Sequence, residues 1–182
     1  MGHLFSTLKM KTLLVAIGLF FFSSHTAFAQ ATQFYLEDQI GDRWTVRIYV
    51  VGQPQAKTQI QESLYRAVDH ARTVLNKLDS GNPSSEVGSI NQKKTRGRVL
   101  VSEDFARAME VALDVSRWTE GVFDVTYESQ HGNYKNVSIN RKNNELKIKE
   151  NNMSLNLRPI LRGILVDLMA DDLVDAGWKN CL

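Results

Sequence analysis

The chain has 182 residues, with 22 lysines and arginines against 20 aspartates and glutamates, and one cysteine, Cys181. The length leaves no room for two ordinary domains, and a single cysteine excludes an internal disulfide. Charge this close to balance leaves no nucleic-acid footprint.

The front of the chain has a purpose of its own. Lys9 and Lys11 flank an apolar run, Leu13–Phe22, and Ala27-Phe28-Ala29 closes it with a small-x-small pattern. This predicts a secretory signal peptide over residues 1–29, too short to be a comfortable membrane span, with a mature domain over 30–182. Met10 opens a complete signal by itself. Cleavage after Ala29 removes Lys9 and Lys11 and leaves 20 basic and 20 acidic residues. No cysteine follows the cleavage point, so the expectation is a soluble periplasmic protein with no lipid anchor and no transmembrane span.

"RWTVRIYVVG" (Arg43–Gly52) alternates apolar and polar residues and is rich in β-branched ones, which predicts a strand. Ile60, Leu64, Val68, Ala71, Leu75 and Leu78 then recur at three- and four-residue steps, the stripe of one long helix. The breakers from Asp79 to Pro83 end it. A second helix begins at Ser102, whose hydroxyl caps it, with Glu103 and Asp104 at the positive end of its dipole. Phe105, Met109, Ala112, Leu113 and Ser116 form its inner face, and it stops near Gly121. Tyr134–Leu157 reads as short strands joined by asparagine-rich turns. A third helix is expected from about Gly163 to Ala176, with Leu165, Met169, Leu173 and Val174 apolar and Gly177 at its C-terminal cap. The sum is one α+β domain.

Few residues offer chemistry by themselves. His70 falls on the polar side of the first helix, His131 in a turn beside Gly132, and His25 leaves with the signal. No paired histidine or cysteine spacing suggests zinc, and Cys181 reads as a small packed residue. No nucleophile-elbow or phosphate-loop pattern appears.

Four segments remain, each where a helix and a strand meet: "GDRWTVRI" (Gly41–Ile48), "LDSGNPSSEVGSIN" (Leu78–Asn91), "TEGVFDVT" (Thr119–Thr126) and "LNLRPILRGILVD" (Leu155–Asp167). In order and spacing they resemble the motifs of the ApbE family, the FAD:protein FMN transferases. The resemblance implies an ApbE-like flavin transferase fold, incomplete, because the family continues through a second half that supplies further metal ligands. It implies FAD as substrate, Mg2+ on the pyrophosphate, and a target flavoprotein whose threonine hydroxyl accepts FMN while AMP leaves. It carries Val122, Phe123 and Asp124 over as cofactor-facing positions. Read locally, the same letters make a helix-terminating turn with Phe123 in the core and Asp124 bonded to nearby backbone N–H groups.

The fourth segment departs from the family pattern. Asn156 stands for an aspartate, Arg158-Pro159 for a pair of small residues, and Arg162 for a lysine. Asn156 and Arg162 keep hydrogen-bonding or charge toward the cofactor, and Pro159 stands where the family offers a carbonyl to the metal. Gly81 and Ile40 replace a tyrosine and a methionine that contact flavin in some members. The alternative expectation is therefore a non-catalytic relative that binds flavin or a partner.

Overall fold

The computed structural model describes residues 31–41, 44–53, 56–94 and 96–181, so the expected signal peptide lies outside the described residues. Two antiparallel strands open the domain. β1 (Thr32–Ile40) pairs with β2 (Trp44–Gly52) in an unbroken register from Thr32 opposite Gly52 to Ile40 opposite Trp44. Gly41 turns the corner at φ +62°, a conformation glycine adopts freely. Its Cα faces Leu75 so closely that a Cβ would press on that side chain.

Helix α1 (Lys57–Leu78) packs across this hairpin. Its inner stripe is Ile60, Leu64, Ala67, Val68, Ala71 and Val74, ending at Leu78, all buried. Leu75, expected on that stripe, is only partly buried and turns toward the hairpin corner. A loop of tight turns leads to α2 (Glu86–Lys93), where the Ser85 hydroxyl caps the helix by accepting the N–H of Gly88 at 2.9 Å. A small three-stranded antiparallel sheet follows in the order β3 (Gly97–Leu100), β5 (Glu145–Ile148), β4 (Val137–Asn140). Between its first and later strands runs α3 (Glu103–Trp118), capped by Ser102 as expected, with Phe105, Met109, Ala112, Leu113 and Ser116 all inward.

The last helix, α4 (Arg158–Asp175), begins five residues earlier than expected. Pro159 is its second residue, and proline in a first turn starts a helix because the missing N–H has no intrahelical partner to lose. Leu161, Leu165, Leu168, Met169 and Leu173 face inward, whereas Val174 is exposed. At its end the N–H of Gly177 bonds the carbonyl of Val174, and the N–H of Trp178 bonds that of Leu173, with Gly177 at φ +94°. This is a Schellman cap. The chain then runs beside β2: Val51 donates to the carbonyl of Asn180 at 3.0 Å, and Val50 and Cys181 form a single antiparallel bridge.

Helix α1 is the hub. It contacts β1, β2, α2, α3 and α4, while the three-stranded sheet leans on α3. His70, expected on the polar side of α1, meets Asp172 of α4 at 2.8 Å, and Lys77 meets Asp104 of α3 at the same distance. Among the described residues no helix is long and apolar enough to cross a membrane.

Candidate functional site

The stretch Thr119–Thr126 is a chain of local hydrogen bonds. Gly121, at φ +89°, donates its N–H to Ser116, and the Thr119 hydroxyl accepts the N–H of Phe123 at 3.1 Å. Asp124 then closes the corner with both oxygens. Oδ1 accepts the backbone N–H and the hydroxyl of Thr126, each at 2.7 Å, and Oδ2 accepts the N–H of Tyr134 at 3.0 Å. Phe123 packs on the core, Val125 and Thr126 are fully buried, and Val122 is 93% exposed. The local reading of Asp124 is thus the geometry present, and of the three positions Val122 alone presents its whole side chain outward.

Asn156 lies at a junction of three loops and is only 2% exposed. Its backbone N–H bonds the carbonyl of Val125 at 2.7 Å, which joins the fourth motif segment to the third. Its side-chain oxygen accepts the Ser80 hydroxyl at 3.1 Å and the N–H of Arg158 at 2.9 Å. Its amide nitrogen donates to Tyr127 Oη at 2.9 Å and to Glu128 Oε1 at 2.5 Å. Every polar atom of the amide is engaged within the chain, so Asn156 positions its neighbours. Partial desolvation first, and then the Glu128 carboxylate beside it, push the Tyr127 hydroxyl above its ordinary pKa.

Arg158 reaches from the start of α4 back to the loop after α1. Its Nε donates to Asp79 Oδ1 at 2.8 Å, and Asp79 Oδ1 also accepts the N–H of Gly81. The bond to Asp79 holds Arg158 above its ordinary pKa. The guanidinium lies over Gly81 in the volume a side chain there would fill, since a Cβ on Gly81 would overlap its terminal nitrogens and Cζ. Beside it opens a cleft of about 380 Å3. The hairpin end supplies Ile40, Gly41 and Trp44, helix α1 supplies Leu75, Asn76 and Asp79, and α4 supplies Arg158 and Leu161.

Arg162 stands one helical turn beyond Arg158 and faces elsewhere. It borders a second groove of about 360 Å3 with Trp44–Arg47 of β2 and with Leu165, Val166 and Met169 of α4. Neither cavity includes Phe123 or Asp124. The structure therefore brings Asn156 and Arg158 to the third motif segment through Val125, Tyr127 and Glu128, and leaves Arg162 on the hairpin side. Pro159 is within the first turn of α4 rather than in a loop, where its carbonyl points along the helix toward the residue four places on. Among the described residues no group of three or more histidines, cysteines or acids could hold a metal ion. The described residues do not fit a magnesium ion.

Tyr127, Glu128, Ser80 and Asp79 were not singled out for a site by sequence reasoning. The signal available was their place directly after the third motif segment, where they meet Asn156.

Comparison with known proteins places this arrangement. The ApbE family model matches residues 40–131, half of the chain, and the chain belongs to the ApbE family. Among solved structures, the flavin transferase ApbE from Vibrio cholerae matches with a TM-score of 0.68 at 20% identity, over 84% of this chain and 56% of that one. The ApbE protein from Thermotoga maritima matches at 0.63 and 19% identity, over 82% and 55%. The apo flavinyl transferase ApbE from Pseudomonas stutzeri matches at 0.67 and 16% identity, over 84% and 54%. At such identities the likeness is one of fold, and the chain spans a little over half the length of these relatives. Among curated proteins none matches. The α+β, ApbE-like but incomplete fold expected from the motifs is the fold observed.

Proposed function

We propose that this chain acts in FAD:protein FMN transfer outside the cytoplasm, as the part of the transferase that holds the flavin nucleotide. The observation that carries this reading is the convergence of the four motif segments. Gly41 and Trp44 of the first segment and Asp79 of the second border the cleft with Arg158 and Leu161 of the fourth, and Asn156 ties the fourth segment to Ser80 of the second and Val125 of the third. Three of the segments thus reach the cleft, and the third in chain order is joined to them through Val125, which brings distant parts of the chain together as a composite ligand site requires. In the transfer, a threonine hydroxyl of the target flavoprotein bonds to the phosphorus of the FMN half of FAD. The pyrophosphate P–O bond breaks, AMP leaves, and the hydroxyl proton passes to solvent or a base. This chain's residues would orient the ring and its phosphates, with Asp124 fixing the corner that bears Val122 and Phe123.

A second reading, flavin binding without transfer, is favoured by one specific observation. The described residues do not fit the cation that such chemistry uses, since Asn156 is neutral and internally bonded and Pro159 is helical. The test mixes purified chain, FAD, Mg2+ and a flavoprotein bearing an acceptor threonine, and follows fluorescent flavin on the denatured target. Covalent flavin establishes transfer. FAD retained by the chain with the target unmodified leaves the binding reading alone, and no retained FAD removes both.

A further inference from the structure

The cleft between the hairpin end and the start of α4 has an apolar bed (Ile40, Leu75, Leu161), one aromatic wall (Trp44) and, among its described lining residues, a single cation, Arg158. Its volume of about 380 Å3 suits one planar ring system and its substituents, not a whole dinucleotide. Trp44 and Arg158 come from different elements and border the cleft independently, and Asn76 and Asp79 also line it. The guanidinium is fixed there. Asp79 holds Nε, and the bare Cα of Gly81 leaves the room that the terminal nitrogens occupy.

We propose that Arg158 sets the specificity of this cleft: it forms the wall at position 81, and its terminal N–H groups select heteroaromatic rings that carry a phosphate. A guanidinium is planar, stacks on aromatic faces, and presents donors in a fork that matches phosphate oxygens. Pairing with Asp79 engages Nε, and among the described residues no other acceptor is bonded to the guanidinium. The carboxylates of Asp79 and Glu128 both bear on Arg158, so the selection is modest in size. This deepens the flavin reading, because it assigns the choice of ligand to a residue that stands where the family pattern has a small one.

The test measures binding of FMN, riboflavin, AMP and adenosine to the full chain by equilibrium dialysis, for wild type, Arg158→Ala and Arg158→Lys. Wild type should prefer FMN over riboflavin by about tenfold, the worth of one charge-assisted contact. Arg158→Ala should erase that preference, and Arg158→Lys should retain part of it. Gly81→Ala supplies a control on geometry: it should weaken FMN binding when Arg158 is present and change nothing in the Arg158→Ala background. Equal binding of FMN and riboflavin by wild type, or a preference that survives Arg158→Ala, overturns the proposal and leaves the flavin reading intact. Arg158-dependent preference for AMP over adenosine, with no flavin bound, supports the proposal and removes the flavin reading. Binding of none of the four overturns both.

Discussion

The carboxylate of Glu86 holds Ser102 by both of that residue's donors: Oε1 accepts the backbone N–H and Oε2 the hydroxyl, each at 2.6 Å. The first residue of α2 thereby fastens the cap of α3, sixteen positions later. Ser102 in turn accepts the N–H of Phe105, so one acid of α2 supports the start of the next helix. Glu86→Ala should cost about 2 kcal/mol, because two donors lose a charged acceptor at a half-buried site. Urea unfolding measures it, and a loss below about half a kilocalorie would show that solvent satisfies Ser102 equally well.

Asn156 offers a sharper experiment. Asn156→Asp restores the family's residue type, yet it would put a carboxylate against Glu128, whose Oε1 lies 2.5 Å from the amide nitrogen it replaces. Two like charges that close raise the folded-state pKa of the pair above the unfolded value. Stability is then present below about pH 4 and is lost as pH rises through the raised folded values. The variant should match wild type at pH 4 and fall below it at pH 7. A variant as stable as wild type at neutral pH would show that Glu128 turns away freely.

Asp38 predicts the opposite sign. The N–H of Gln39 at 2.7 Å, and after it the Arg72 guanidinium, hold its carboxyl below the usual range. Its contribution is present above the ordinary carboxylate value of about 3.9 and disappears as pH falls through the lower folded value. Asp38→Asn should flatten the acid limb of the stability curve by lowering stability in the neutral region, and should match wild type at the acid end, where the Asp38 carboxyl is protonated. An acid limb identical to wild type would remove Asp38 as its source.

Gly88 and Gly132 are required for packing. A Cβ on Gly88 would overlap the carbonyl of Asn82, and one on Gly132 the carbonyl of Thr126. Backbone cannot move aside as a flexible side chain can, so Gly88→Ala should destabilise by about 1–3 kcal/mol. Thermal melts decide it, and an unshifted midpoint would mean that the loop after α1 yields freely.

For Asp124, Asp124→Ala should weaken FAD binding and also release Thr126 and Tyr134, at about 2 kcal/mol of stability. Asp124→Asn keeps an acceptor for part of that set and should recover much of the stability. Unchanged FAD affinity in both variants would take Asp124 out of the ligand site.

The helices were legible because their apolar spacing is long and regular: the inner face of α3 is the one its sequence spells, down to Ser116. β1 was not, since its alternation of half-exposed residues is weak until β2 lies beside it. Helix α2 hid in a stretch rich in breakers, with only Val87, Gly88 and Ile90 buried. The start of α4 precedes the expected one because Pro159 lies in its first turn, where proline is tolerated, although a proline read along the sequence suggests a break. In the candidate site, the motif segments carried the positions of Asn156 and Asp124. Which atoms those side chains hold depends on contacts far apart in the chain, Asn156 with Ser80 or Asp124 with Tyr134, and no local pattern encodes them.

The central position of α1 governs how the molecule comes apart. Since both strands of the hairpin and the three other described helices rest on that one element, it cannot open while they stay packed against it. Amide protons of Ala67, Val68 and Ala71 should therefore trade with deuterium only through complete unfolding, at a rate that tracks global stability in denaturant. Protons of β3 and β4, on the sheet that leans on α3, should trade through smaller openings that leave α1 standing.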